Sequence, residues 1–248
     1  MIRFIPLLFL LFLSACKSTP NYLNTDTLVA QYNRIGYVNF TTTSELTYFQ
    51  PYLENFYSER VQNELRSLGF DVVDASALFN VLSELENKTD NLYNSNTGQL
   101  NEELHNQLFI EALETLKSQL NIDAFLFVGV DIVPAHFSNN VFSGYNASWW
   151  GQSEDYLAEG VDASEVLGSL FVNKTGHLPG ARLYLRFRDA QNNIISFGGG
   201  GIELLARFDD DGELETKKPE LLFDNESQLI EALNFAFENL ASHRQKNR

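Results

Sequence analysis

Few side chains in this 248-residue sequence are of the kinds that perform covalent or metal chemistry, and their spacing narrows the field further. Cysteine occurs once, at Cys16, which excludes a disulfide framework and any multi-cysteine metal site. The four histidines, His105, His136, His177 and His243, stand at neither helical nor strand spacing from one another. They do not offer the converging donors a metal needs and are read as loop or surface residues. A serine nucleophile would call for a Gly-x-Ser-x-Gly elbow, and the chain has none. No catalytic residue, metal or cofactor is therefore expected, although a hydrolytic or ligand-binding site assembled from distant residues such as Glu59, Asp131 and His136 is the competing possibility.

Two runs imitate known ion sites. The glycines Gly198 to Gly201 would let backbone amides approach a phosphate, but no Gly-Lys-Ser/Thr follows and Ile202 to Phe208 reads as strand. A bulge or bend in an edge strand is the expected role. Asp209-Asp210-Asp211-Gly212-Glu213 lacks the alternating ligands and the distant glutamate of a calcium loop, so it reads as a solvated hairpin turn. Two interaction candidates remain. Arg182, Arg186 and Arg188 share a strand face and suit a bidentate grip on a carboxylate or phosphate, though pairing with a neighbour such as Glu203 is preferred. Phe137, Phe142, Tyr145, Trp149 and Trp150 gather among Asn, Ser and Gly, either as a partner contact or, the preferred reading, folded back to cap a sheet.

The elements that must position these residues are written in the hydrophobic periodicity. Arg34 to Phe40 is short, apolar and β-favouring. From Tyr52 to Leu68, Leu53, Tyr57, Val61 and Leu65 recur at every fourth position, with Pro51 before and Gly69 after as helix punctuation. Phe70 to Val73 is a brief strand, and Ser76 to Leu85 a helix that Asp74 or Ser76 would cap. After a polar loop, Leu104, Leu108, Ala112, Leu116 and Leu120 mark another helix. Ala124 to Val133 is almost continuously apolar, as in a strand covered on both faces. The pattern dissolves past Pro134 and returns at Ala181, where Leu183, Leu185 and Phe187 alternate with the arginines. A partner strand to Phe208 and a last helix from about Glu226 to Ala241 complete a single α/β domain, a mixed β-sheet packed by helices in the order β-α-β-α-α-β-β-β-α.

The charge balance of 17 Lys plus Arg against 33 Asp plus Glu, a formal −16, argues against nonspecific binding to nucleic acid or to an anionic bilayer, since such binding rests on basic residues neutralising phosphates, and no nucleic-acid partner is expected. With 44% hydrophobic and 13% aromatic residues the chain has ample apolar surface to fold. At the amino terminus, Arg3 precedes the apolar run Phe4 to Leu13, too short for a spanning helix of about 20 residues, and small residues follow as in a secretory signal. The sequence Leu13-Ser14-Ala15-Cys16 closely resembles the lipobox of bacterial lipoproteins. That resemblance implies cleavage after Ala15 and acylation of Cys16, and two or more acyl chains hold a protein stably on a membrane. Lys17 in place of an Asp implies the outer membrane, with the domain facing the periplasm. The mature chain then carries 16 bases and 33 acids, a formal −17.

The resulting organisation is a signal at 1–15, a lipidated tether at 16–32, and a periplasmic domain at 33–243 with an insert at 134–180. Its pieces Ile35 to Phe40, Glu59-Arg60, Leu65 to Val73, Leu120 to Ala124 and Ala181 to Ile195 resemble the periplasmic domains of a lipoprotein group. That group includes the curli-secretion channel lipoprotein, penicillin-binding-protein activator lipoproteins and the amino-terminal domain of the Tol-system propeller protein. The resemblance brings no catalytic residues and is broken by the insert. The lipobox, the folded domain behind it and the want of a catalytic constellation together lead to the expectation of a non-enzymatic accessory that binds or helps assemble an envelope component, or associates with copies of itself.

Overall fold

Asn24 opens the first helix by accepting a hydrogen bond from the backbone N–H of Thr27 at 2.9 Å, a cap of the usual kind. The computed structural model describes residues 22–138, 145–158 and 175–242. That helix, α1 (Thr25–Gln31), buries Leu28 in the main core. The stretch expected to be tether therefore already belongs to the domain from Leu23 onward, because Leu23 N–H also donates to the carbonyl of Ile195 at 3.0 Å.

β1 (Arg34–Thr42) leads through a short 3₁₀ turn at Ser44–Phe49 into α2 (Gln50–Ser67). The fourfold stripe is realised: Leu53, Tyr57, Val61 and Leu65 are buried, and Gly69 takes a left-handed φ of +96° just past the helix. β2 (Asp71–Asp74) and α3 (Leu78–Asn87) follow. Neither expected residue caps α3; Ala77 occupies the cap position, while the Asp74 carboxylate takes the Ser76 N–H at 2.8 Å and closes the preceding turn instead. α4 (Glu102–Leu120) is capped by Asn101 and stopped by Asn121 in the left-handed region.

β3 (Ala124–Ser138) and, farther on, β6 (Thr175–Arg188) are longer than the periodicity indicates. They pair antiparallel from Phe125↔Arg188 to Ser138↔Thr175. The break expected at Pro134 and Ala181 is absent because Pro134 faces Pro179 in the stretch of β3 between Val130, where its pairing with β1 ends, and His136, where its pairing with β4 begins. A missing N–H costs least where no third strand waits for it. The hairpin β4 (Asn146–Trp149) and β5 (Gln152–Asp155) turns through Trp150 and Gly151, both at positive φ, as two-residue hairpin loops require. β7 (Ile194–Leu204), the small hairpin β8 (Ala206–Phe208) and β9 (Leu214–Thr216), and α5 (Glu226–Ser242) complete the chain.

The seven-stranded sheet is mixed: β2, β1 and β3 run parallel, β3, β6 and β7 antiparallel, and β4–β5 extends from the far end of β3. On one face α1, α2 and α5 bury Leu126, Val128, Leu183, Leu185 and Phe187. On the other, α3 and α4 bury Val38 and Phe125. A smaller core beneath the β4–β5 hairpin holds Val133, Ala135, Ala147, Trp149, Leu178 and Leu204. The chain is thus a single α/β domain with helices on both faces of a mixed sheet.

Candidate functional site

β6 sorts its side chains strictly. Leu183, Leu185 and Phe187 enter the core, and Arg182, Tyr184, Arg186 and Arg188 stand on the opposite face. On that face α3 and α4 cover β1 and the start of β3, the β4–β5 hairpin covers the far end, and a trough is left between them.

The trough is floored by glycine. The Tyr184 ring lies over Gly129, where a Cβ would come within 3.0 Å of the tyrosine hydroxyl and of the Thr41 carbonyl oxygen, and its hydroxyl shares a 2.8 Å hydrogen bond with Thr41 Oγ1. Gly198 to Gly201 serve two faces in alternation. Added Cβ atoms at Gly198 and Gly200 would strike the carbonyl oxygens of Ala236 and Ala232 on α5; those at Gly199 and Gly201 would meet Trp150 and Trp149. The run is thus a place where a helix backbone and a tryptophan hairpin both approach an edge strand. The expected bulge lies just beyond it, between Gly201 and Leu204.

The three arginines meet different fates. Arg182 is held by Asp131 in a bidentate pair, Nε to Oδ1 at 2.9 Å and Nη2 to Oδ2 at 2.5 Å, with its guanidinium carbon 4.5 Å from the Trp150 ring and 5.2 Å from Phe197. Arg186 lies 4.8 Å from the Tyr184 ring and 6.0 Å from Phe197; its Nε is buried without a hydrogen-bond partner, and no carboxylate of the described residues lies within 4.0 Å. Arg188 donates to the carbonyl and side-chain oxygens of Asn192 at 3.0 and 2.5 Å. Burial, and then the charge of Arg186, push its pKa down. The preferred pairing with Glu203 is not formed, because Glu203 follows the bulge and turns away toward Phe223.

Of the aromatic group, Trp149 is 5% exposed and donates its indole N–H to the carbonyl of Ala181 at 2.9 Å. Phe137 and Tyr145 pack on the same small core. These three cap the sheet. Trp150 is 36% exposed at a φ of +41°, and Phe142, like Cys16 and His243, lies outside the described residues. The turn rests on α5, where Gly151 abuts Phe235, and an open groove of about 310 Å³ runs between Trp150 to Gln152 and Glu231, Asn234 and Glu238.

Glu59, Asp131 and His136 do not converge. Glu59 is exposed on α2, His136 is exposed on β3, and Asp131 is clamped to Arg182 on the sheet face opposite α2. Two groupings escaped the sequence. His136 and His177 are cross-strand neighbours with ring centroids 5.4 Å apart, a consequence of the β3–β6 register that no local spacing reveals. Glu203, 3% exposed, takes the Phe223 N–H and Lys217 Nζ at 3.0 Å, and Lys217 also reaches Glu154, which pairs with Arg207. Burial raises the Glu203 pKa. The acidic run after β8 forms the expected turn, with Asp209 accepting from the N–H groups of Asp211 and Glu213. Among the described residues no three His, Cys, Asp or Glu side chains are grouped to hold a metal, and no helix is long and apolar enough to cross a membrane.

Comparison with known proteins adds little to this geometry. No family model matches the chain, and no curated protein does. A crystal structure of a neuraminyllactose-binding hemagglutinin homolog from Helicobacter pylori is similar at a TM-score of 0.28 and 10% identity, over 85% of this chain and 80% of that one.

Proposed function

We propose that this protein is a non-enzymatic accessory of the bacterial envelope, anchored in the outer membrane by acyl chains on Cys16, whose domain docks an envelope protein or a second copy from the periplasmic side. The observation that supports the docking surface is Trp150. A half-exposed tryptophan is fixed at a left-handed φ on a hairpin tip, its ring braced by Arg182 and beside an open groove. Rigid aromatic anchors of this kind lose little entropy on binding and dominate the energetics of many interfaces. The strained backbone costs of order 1–3 kcal/mol, and the hairpin keeps it in place.

Site-specific photocrosslinking in intact cells tests the reading. A photoreactive residue at position 150 should yield a discrete adduct with an envelope protein or with a second copy. The same group at Tyr93, 59% exposed and far from the hairpin in the chain, should not. Equal labelling at both positions, or none at either, contradicts a docking surface at the hairpin.

A further inference from the structure

Arg186 and Arg188 stand two residues apart on one strand face, so their side chains project side by side. Each lacks a carboxylate partner among the described residues, in a chain where acids outnumber bases almost two to one. Tyr184 and Phe197 flank Arg186 and hold its guanidinium by cation–π contact, so little side-chain freedom remains to be lost when an anion arrives. Two like charges so placed repel each other, and a shared oxyanion relieves the repulsion. The planar guanidinium fork matches phosphate oxygens.

The position of the amino terminus indicates where such an anion comes from. The Tyr22 ring lies 6.3 Å from Phe197, the residue between Arg182 and Arg186 in this trough. Six residue steps separate Tyr22 from Cys16, at most about 20 Å of chain. The described chain thus begins beside the arginine face, within about 20 Å of chain from the point of attachment. Resting on the reading of Cys16 as the acylated residue, we propose that Arg186 and Arg188 bind the phosphates of membrane lipid headgroups, so that the Arg188 end of this strand is held at the bilayer, the Trp150 end stays open to a partner, and the domain does not swing on its tether.

The test uses the acylated chain purified from membranes and reconstituted into liposomes of phosphatidylethanolamine and phosphatidylglycerol containing a dansyl-labelled headgroup, with energy transfer from Trp149 and Trp150 as the readout. Wild type should transfer efficiently. Replacing both arginines (Arg186→Gln with Arg188→Gln) should shift the balance between lying and standing orientations by roughly thirtyfold, the effect of two basic residues at an anionic surface, with a matching loss of transfer. Arg186→Lys with Arg188→Lys, which keeps the charge but not the planar fork, should restore part of it, and an unchanged thermal unfolding curve shows that each variant is folded. Transfer that is the same in wild type and the glutamine pair overturns the proposal. Saturable quenching of the tryptophans by inorganic phosphate without lipid, together with unaltered transfer, assigns the pair to a free phosphate and overturns the headgroup source. A chain that fails to enter liposomes at all removes the anchor beneath both readings, and is told apart because no protein then floats with lipid.

Discussion

The indole N–H of Trp149 ends on the carbonyl oxygen of Ala181, 2.9 Å away, and through that bond the β4–β5 hairpin is fastened to the strand that carries the arginines. Trp150, one residue on, contributes little to the interior. Trp149→Ala should cost about 3–5 kcal/mol, the usual toll for emptying a large buried aromatic site. Trp150→Ala should cost about 1 kcal/mol or less, the scale of a partly exposed cation–π contact. Chemical denaturation of the two variants checks the contrast; equal losses contradict the division between a structural and a presented tryptophan.

Gly200 lies against the backbone of α5, where an added Cβ would come closer than 3.0 Å to the Ala232 carbonyl oxygen. Backbone cannot rotate aside as a side chain can. Gly200→Ala should destabilise by about 3 kcal/mol, the upper part of the overpacking range. Gly98→Ala, where nothing lies within 4 Å but φ is +70°, should cost only about 1 kcal/mol. A reversed order in thermal unfolding would contradict the close approach of helix and strand.

Asp131 and Arg182 form a two-point pair at the rim of the trough. A charge-assisted pair of this kind is worth about 1.5–3 kcal/mol. Asp131→Asn and Arg182→Met should each lose about 2 kcal/mol, and the double variant should lose less than the sum by at least about 1 kcal/mol. Strict additivity of the measured unfolding free energies contradicts a direct pair.

Glu203 supplies a pH signature. Burial raises its pKa in the folded state above the ordinary carboxylate range, so its contribution to stability is greatest in acid, where it is protonated in both states. That contribution is lost as pH rises through the raised folded value. Glu203→Gln removes it, so the stability of the variant relative to wild type should increase from acid toward neutral pH. Unfolding free energies of both chains measured across that window check the sign; a difference that is flat or falls with pH contradicts it.

Much of the fold is legible in local pattern. The fourfold stripes of α2 and α4 and the alternation of β6 place Leu53, Leu116 and Leu185 in the core because one period decides each element. What escaped depends on neighbours in space. Pro134 reads as a breaker until Pro179 is seen opposite it in an unpaired gap. α1 is too short for a stripe, although Asn24 ahead of Thr27 is a recognisable cap. The four glycines show no cause locally, since their neighbours are α5 and Trp150. At the site the arginine face is readable from alternation, whereas the capture of Arg182 by Asp131 and the isolation of Arg186 follow from which residue of β3 the register sets beside each.

The mass of the mature amino terminus tests the account most directly. Protein isolated from membranes should begin at Cys16, lack residues 1–15, and carry a thioether-linked diacylglycerol with an amide-linked acyl chain, while Cys16→Ser should leave the chain unacylated and extractable by salt. A mature chain that begins elsewhere with a free thiol at Cys16, or a serine variant held as firmly as wild type, would contradict it.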